Sequence, residues 1–455
     1  MLKSILWNSD SYKYSMPWQY PSGTQYVYSY IESRGGHYDS LMFFGLQAFI
    51  KEYLLKPITK NEIDLAEKII IAHGEPFDRE TWDYVLNVHK GFIPVKIFAP
   101  QEGQIIPTKN VLVSIENTDP RCFSLTTFIE TALLRAIWYP TTVASISWHI
   151  KQHIKECLEK TGDASLLQFK LHDFGSRGCS SYESSALGGM GHLLNFRGTD
   201  TVSALFAARE FYNADIAGFS IPASEHSTIT SWGKDNEVKA FDNMLQLYAK
   251  PGKILACVSD SYDIGKACSE LWGETLKQKI IESNATLVIR PDSGIPHEIV
   301  LECLERLGKT FGYSINDKGF KVLNNVRVIQ GDGINHKSII KITEVFINAG
   351  WSMDNVSFGM GGALLGAPQR DDQKWAMKCS AININNTWID VFKDPRDDKG
   401  KISKRGKQFL CKNDNGYYTK SEQYMTTTDF EVNQLQLRYE NGLLHNEVFW
   451  DQIIN

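Results

Sequence analysis

LACVSDS (Leu255–Ser261), VIRPDSG (Val288–Gly294), VIQGDG (Val328–Gly333) and VSFGMGG (Val356–Gly362) repeat one figure four times. A short apolar run ends in a knot of Asp or Gly, and a helical stretch follows. Runs of this length, rich in Val and Ile, read as strands buried on both faces. The knots lie about 30 to 40 residues apart, the size of a strand–helix–strand unit. In sheets and barrels built of such units, the loops at the strands' carboxyl ends hold the active site. The four knots are therefore expected to converge on one pocket rich in carboxylates and backbone N–H groups.

Working outward, strand-and-helix alternation begins near residue 165 and continues to about 380. Ile299, Val300, Cys303, Leu304 and Leu307 share one helix face, and Ile339, Ile340, Val345 and Phe346 another. Gly350 is placed to end the second helix. Before this region, TQYVYSYIES (24–33) reads as a strand. Residues 95–118 read as short antiparallel strands, and 123–160 as helix with a break at Pro140. After it, AININNTWIDVF reads as strand, NDNG (Asn413–Gly416) as a hairpin turn, and the Lys/Arg-dense stretch 393–407 as a mobile loop. The expected architecture is an irregular α/β barrel (166–380) with a second α+β domain. The antiparallel sheet of that domain is assembled from both ends of the chain (1–165 and 381–455).

The 455 residues are 42% hydrophobic and 22% charged, ordinary for a globular protein. A net charge of −5 supplies no global attraction for nucleic acid or an anionic membrane. No apolar run approaches the roughly 18 residues that span a bilayer, and MLKSILWNSDSYK lacks a signal-peptide core. Eight scattered Cys without C-x-x-C pairs suit a reducing compartment. A cytoplasmic protein with no membrane or nucleic-acid partner is expected.

Each motif has two readings. In KLHDFGSRG (Lys170–Gly178), Phe174 and Arg177 are either a core ring and a surface cation or a platform and clamp for a flat ligand. In GTDT (Gly198–Thr201), Asp200 either caps a helix or accepts a ligand N–H. GFSIPASEHS (Gly218–Ser227) sets His226 after Glu225 and near Ser220. A lone His is commonly structural, but one at the end of a barrel strand lies where catalysis occurs. RPDSG and QGDG supply Arg290, Asp292, Gly331 and Asp332, as turn formers or as ligands for ribose hydroxyls and Mg²⁺. GMGG, containing Gly361 and Gly362, lets backbone N–H groups approach an anion. It fits neither the Rossmann nor the Walker pattern. Arg370, Lys378 and Lys393 follow it as candidate phosphate partners. Together the motifs suit a ribose-phosphate, a flat base and Mg²⁺.

The chain resembles the nicotinamide phosphoribosyltransferase family, type II phosphoribosyltransferases, over nearly its whole length. The matching segments include SDSYK (Ser9–Lys13), FFGLQ (Phe43–Gln47), IENTDP (Ile115–Pro120), LHDFG, NFRGTDT (Asn195–Thr201), PASEHSTIT (Pro222–Thr230), WGKD, VSDSYDI, IRPDSG, VIQGDG and VFKDP (Val391–Pro395), in the family's order. The resemblance implies a homodimer with shared active sites, acting on nicotinamide and phosphoribosyl pyrophosphate with Mg²⁺, and ATP as co-substrate. It implies that nicotinamide lies between Phe174 and Tyr12 of the other subunit, with Asp200 on the carboxamide and Arg177 and Arg290 lining the pocket. Arg34, Ser220, Asp332, Gly331, Gly361, Gly362, Arg370, Lys378 and Lys393 would contact the phosphoribosyl group, and Asp292 and Asp332 the metal. His226 would be phosphorylated by ATP and oriented by Glu225 and Asp260, and Asp292 would be a further catalytic residue. Departures from the family pattern are a shorter stretch between Arg34 and Phe43, Ala363, Ala376 and Ser176. A nicotinate-using enzyme and a non-catalytic binding member are the alternatives.

Overall fold

The computed structural model describes residues 3–397 and 399–454. The chain divides into two compact units. One comprises Met1–Ser145, Ala208–Ala214 and Gln369–Asn455, and the other Ile146–Ala207 and Asp215–Pro368.

The second unit is the barrel. Its six parallel strands run, in spatial order, Gly198–Thr199, Leu171–Asp173, Val356–Met360, Val326–Gln330, Thr286–Arg290 and Ile254–Val258. Parallel bridges from Phe219 to Gly198 and from Ala223 to Ala256 carry the segment between them across the gap, so the ring of strands closes. All four repeated apolar runs are strands of this barrel. The helices between them bury the faces that their period demands. Pro296–Phe311 packs Val300, Cys303, Leu304 and Leu307 inward, each worth about 1.5–3 kcal/mol for the large aliphatic side chains. In His336–Asn348 the buried set is Ile339, Ile342, Thr343 and Phe346. Ile340 and Val345, expected on that face, flank it half-buried, because the i, i+3, i+4, i+7 row from Ile339 selects 342, 343 and 346. Gly350 takes the positive φ that follows the helix.

Inside the barrel, Ala256, Val288 and Ile329 form an apolar floor, with Phe174 and Ile221 packed on it. Alternate residues of a strand share a face. Two steps up from the floor come Val258, Arg290 and Gly331, and the next step reaches Asp260 and Asp292. The same period that builds the floor therefore aims the polar residues into the mouth.

The first unit holds a seven-stranded antiparallel sheet. Its order is Thr387–Asp390, Trp375–Ile384, Thr24–Ser33, Val111–Asn117, Val95–Ala99, Gln436–Glu440 and Leu443–Leu444, so the sheet draws on both ends of the chain. The Asn413–Gly416 turn joins a separate two-stranded hairpin. Part of the basic stretch 393–407 is tied down rather than loose: Lys404 pairs with Glu32, and Lys407 with Glu116. Asp398 lies outside the described residues.

The helix Glu130–Thr161 does not break at Pro140. Proline removes the hydrogen bond to the carbonyl four residues back, which here is that of Ala136. Gly45 sits directly against that carbonyl: a Cβ on it would lie 2.5 Å from the Ala136 oxygen and 2.5 Å from Pro140. Thr142 Oγ1 donates to the Trp138 carbonyl at 2.6 Å and Ser145 Oγ to that of Thr141 at 2.6 Å, so hydroxyls engage carbonyls on both sides of the proline. Gly45 also has φ of 108°, which side chains rarely adopt. Gly45→Ala is expected to cost roughly 1–3 kcal/mol from backbone strain, before any clash, seen as a lower thermal midpoint.

Candidate active site

Phe174 leaves the end of its strand with its N–H donating to the Met360 carbonyl at 3.0 Å. Its ring lies over Gly359, where a Cβ would fall inside the ring's van der Waals surface. The Arg290 guanidinium stands 5.2 Å from the ring centre, a cation–π approach. Arg290 also clamps Asp292 Oδ1 through Nε at 3.1 Å and Nη2 at 2.8 Å. The other carboxylate oxygen of Asp292 is 4.0 Å from His226 Nδ1, and His226 Nε2 is 3.0 Å from Asp260 Oδ1. A continuous line of contacts thus runs Phe174–Arg290–Asp292–His226–Asp260 across three strand ends.

On the other side of Phe174, the His172 ring lies 5.3 Å away. His172 Nε2 meets Asp200 Oδ1 at 3.1 Å, and the Ser220 hydroxyl donates to the same oxygen at 2.7 Å. Both bonds fall on Oδ1, which leaves Oδ2 to a ligand. Burial pushes the Asp200 carboxyl up, but His172, Ser220 and Arg290 outweigh it and hold the group below its ordinary 3.8. Asp200 and Arg177 also line an open cleft of about 690 Å³, rimmed by Tyr182, Val202 and Phe206.

The remaining expected residues are placed as follows. Glu225 caps the short helix His226–Thr230 and accepts from the Ser227 hydroxyl at 2.5 Å, so Asp260 is the carboxylate that holds the imidazole. Ser220, expected among phosphoribosyl contacts, is engaged with Asp200. Gly331 abuts Phe174, Arg290 and Asp292. Asp332 is exposed, and its backbone carbonyl accepts from Gln330 Nε2 at 3.0 Å. Gly361 and Gly362 open the helical turn Gly362–Leu365, whose first N–H groups lack helical partners.

Tyr12, Arg34, Arg370, Lys378 and Lys393 belong to the other unit. There Arg34 Nη2 is buried with no hydrogen-bond partner. Lys378 is pulled below its usual value by burial, and Arg34, Lys13 and Lys393 add to this against Glu130. Arg34 Nε meets Glu32 Oε1 at 3.4 Å, so the guanidinium is paired on one edge and unsatisfied at Nη2. Arg370 is exposed and bonds Asp371, and Tyr12 is 55% exposed.

Two residues escaped the sequence reading. His172 sits inside the quoted motif LHDFG, and period two from Phe174 would have aimed it into the mouth. Asp173, on the opposite face, is fully buried and accepts from the Gly175 N–H at 2.7 Å, fixing the turn that carries Phe174.

Residues 169–443 match the family model for the nicotinate phosphoribosyltransferase (NAPRTase) family, and residues 4–97 match that for the nicotinamide phosphoribosyltransferase N-terminal domain. The nicotinamide phosphoribosyltransferase of Xanthomonas campestris pv. campestris (strain 8004) is 50% identical over 99% of this chain and 97% of its own. That of Acinetobacter baylyi (strain ATCC 33305 / BD413 / ADP1) is 30% identical over 98% and 95%. The crystal structure of nicotinate-nucleotide pyrophosphorylase from Pyrococcus furiosus shares the fold, with a TM-score of 0.63 over 99% of this chain and 93% of that one at 16% identity. A barrel with acids, an imidazole and a ring platform at its strand ends, matched in this way, is a phosphoribosyltransferase. The chain belongs to the nicotinate phosphoribosyltransferase family, and within it groups with the nicotinamide phosphoribosyltransferases.

Because the folded Asp200 carboxyl titrates below its ordinary value, its charge contributes stability above about pH 4, which is lost as pH falls through the depressed value. Ser220→Ala removes one lowering contact. The Asp200 carboxyl ¹³C titration is expected to shift upward in that variant.

Proposed function

We propose that the chain transfers the 5-phosphoribosyl group from phosphoribosyl pyrophosphate to nicotinamide, giving nicotinamide mononucleotide and pyrophosphate. The observation that carries this is Asp200, held through one oxygen with the other turned to a ligand, beside a ring seated on a glycine. A flat ring stacks on Phe174 and its carboxamide N–H bonds Asp200. The pyridine nitrogen has a lone pair and needs no strong base, so the work is positioning and charge stabilisation. The bond from the anomeric carbon to pyrophosphate breaks as the bond to nitrogen forms, and the sugar passes through an oxocarbenium-like state. Arg34, Lys378 and Lys393 supply charge for phosphate.

Mg²⁺ fits the donor set at the mouth: hard carboxylate oxygens on Asp292 and exposed Asp332, the one or two acids such an ion takes alongside phosphate. Bound there it would offset charge on the departing pyrophosphate. Asp292 needs Arg290 to hold it still.

ATP is read as co-substrate at His226. With Nε2–H directed at Asp260, Nδ1 carries the lone pair that attacks the terminal phosphorus, and ADP leaves. The side chain is 44% exposed, open enough for that approach. The active form is read as a homodimer, in which Tyr12 of a second copy closes over the ring. Exposed Tyr182, Val202 and Phe206 beside Asp200 supply an apolar rim for such a contact. The reading includes a cytoplasmic location, which eight free thiols suit; no helix among the described residues is long and apolar enough to cross a membrane.

The test is incubation with nicotinamide, phosphoribosyl pyrophosphate and Mg²⁺, with and without ATP, and detection of the mononucleotide by mass. Product from nicotinate alone would move the reading to the acid-using alternative, and no product from either base to a binding member. Asp200→Asn is expected to relax the preference for amide over acid by about 100-fold in the kcat/KM ratio, since a carboxylate facing nicotinate's own costs several kcal/mol. His226→Ala is expected to abolish the difference between rates measured with and without ATP.

A further inference from the structure

We propose that His172 is a positioning residue that sets the choice of amide over acid by fixing which oxygen of Asp200 faces the substrate. The inference rests on the nicotinamide reading above and deepens it.

His172 comes from the strand Leu171–Asp173, Asp200 from the turn after Gly198–Thr199, and Ser220 from the segment that closes the barrel. Three consecutive staves of the barrel thus meet at one carboxylate oxygen. The imidazole is only 14% exposed. It is also held in place: His172 pairs in register with Gly198, and a Cβ on Gly198 would lie 2.5 Å from His172 Nδ1. The ring fills the slot that the missing side chain leaves, with its Nε2 edge toward Asp200. A carboxylate held only by the Ser220 hydroxyl could rotate about its last bond, because that torsion is broad. Two donors from different directions remove this freedom. Oδ1 is then occupied, and Oδ2 presents a fixed acceptor to a carboxamide N–H. A substrate carboxylate meets the same oxygen with no proton to share and cannot turn it aside. Selectivity therefore depends on the second donor, not on Asp200 alone.

The test measures kcat and KM with nicotinamide and nicotinate for the wild type, His172→Ala, His172→Gln, Asp200→Asn and the His172→Ala/Asp200→Asn double variant. His172→Ala is expected to raise KM for nicotinamide about tenfold, the size of one lost hydrogen bond to a charged group. Its kcat should change less, and its amide-to-acid ratio should narrow. His172→Gln, which keeps an N–H donor, should recover most of the ratio. The double variant should show the ratio of Asp200→Asn alone, because a residue acting through Asp200 has nothing left to act on. Gly198→Ala, which crowds the ring from the far side, gives a second route to the same narrowing if His172→Ala does not fold. An unchanged ratio in the folded histidine or glycine variants overturns the proposal, as do independent, additive effects in the double variant. Those results would leave the nicotinamide reading standing. A wild type that makes no mononucleotide from nicotinamide brings down both.

Discussion

The Phe174 ring occupies the space that a side chain on Gly359 would need, and the rest of the site is arranged around that contact. The ring can take that place only because the neighbouring strand is bare there. Once it does, Arg290 has a face to stand over. Arg290 then has a fixed position from which to clamp Asp292. Asp292 in turn faces His226, whose other nitrogen is held by Asp260. On the opposite flank, His172 and Asp200 form the second wall. The groups come from the ends of neighbouring strands, two of which supply a pair each (His172 with Phe174, Arg290 with Asp292), above the shared apolar floor of Ala256, Val288 and Ile329.

What could be read from the chain alone was what is local. Apolar runs ending in Asp or Gly mark strand ends by composition, and helix faces follow from spacing. Both survive folding because they depend on neighbours in sequence. The barrel's closure was not visible in this way. It depends on single bridges at Phe219 and Ala223, in a segment whose pairing partners lie about 20 and 30 residues away, on either side of it. Pro140 misled for a related reason. The local rule that proline breaks a helix is sound, but Gly45, almost a hundred residues earlier, fits against the place where the bond is lost. The two units part at Ser145, inside the continuous helix Glu130–Thr161, where no shift in composition marks a boundary.

The site shows the same division. Phe174, Asp200, His226, Asp260, Arg290 and Asp292 stand out in sequence because each sits in a turn signal, and the structure links them through contacts. His172 and Asp173 stand in a strand and carry no such signal. Their roles come from which face of the strand each occupies and from which strand lies alongside. Glu225 shows the converse. A carboxylate next to a catalytic candidate looks like its partner, but at this helix start the Glu225 carboxylate is taken by the hydroxyl two residues on.

Charge is treated differently in the two units. At the barrel mouth Arg290 is paired with Asp292, and Asp200 is held by His172 and Ser220. In the first unit Arg34 keeps a buried N–H group without a partner, and Lys378 is depressed by burial and by neighbouring cations. A mildly acidic chain has no overall field to draw in an anion, so any anion site must be built from such local imbalance. Holding cations together costs stability, because each like charge nearby opposes the next. The face around Asp200 is different: the carboxylate keeps its charge, two donors are spent on Oδ1, and the single acceptor left open is Oδ2.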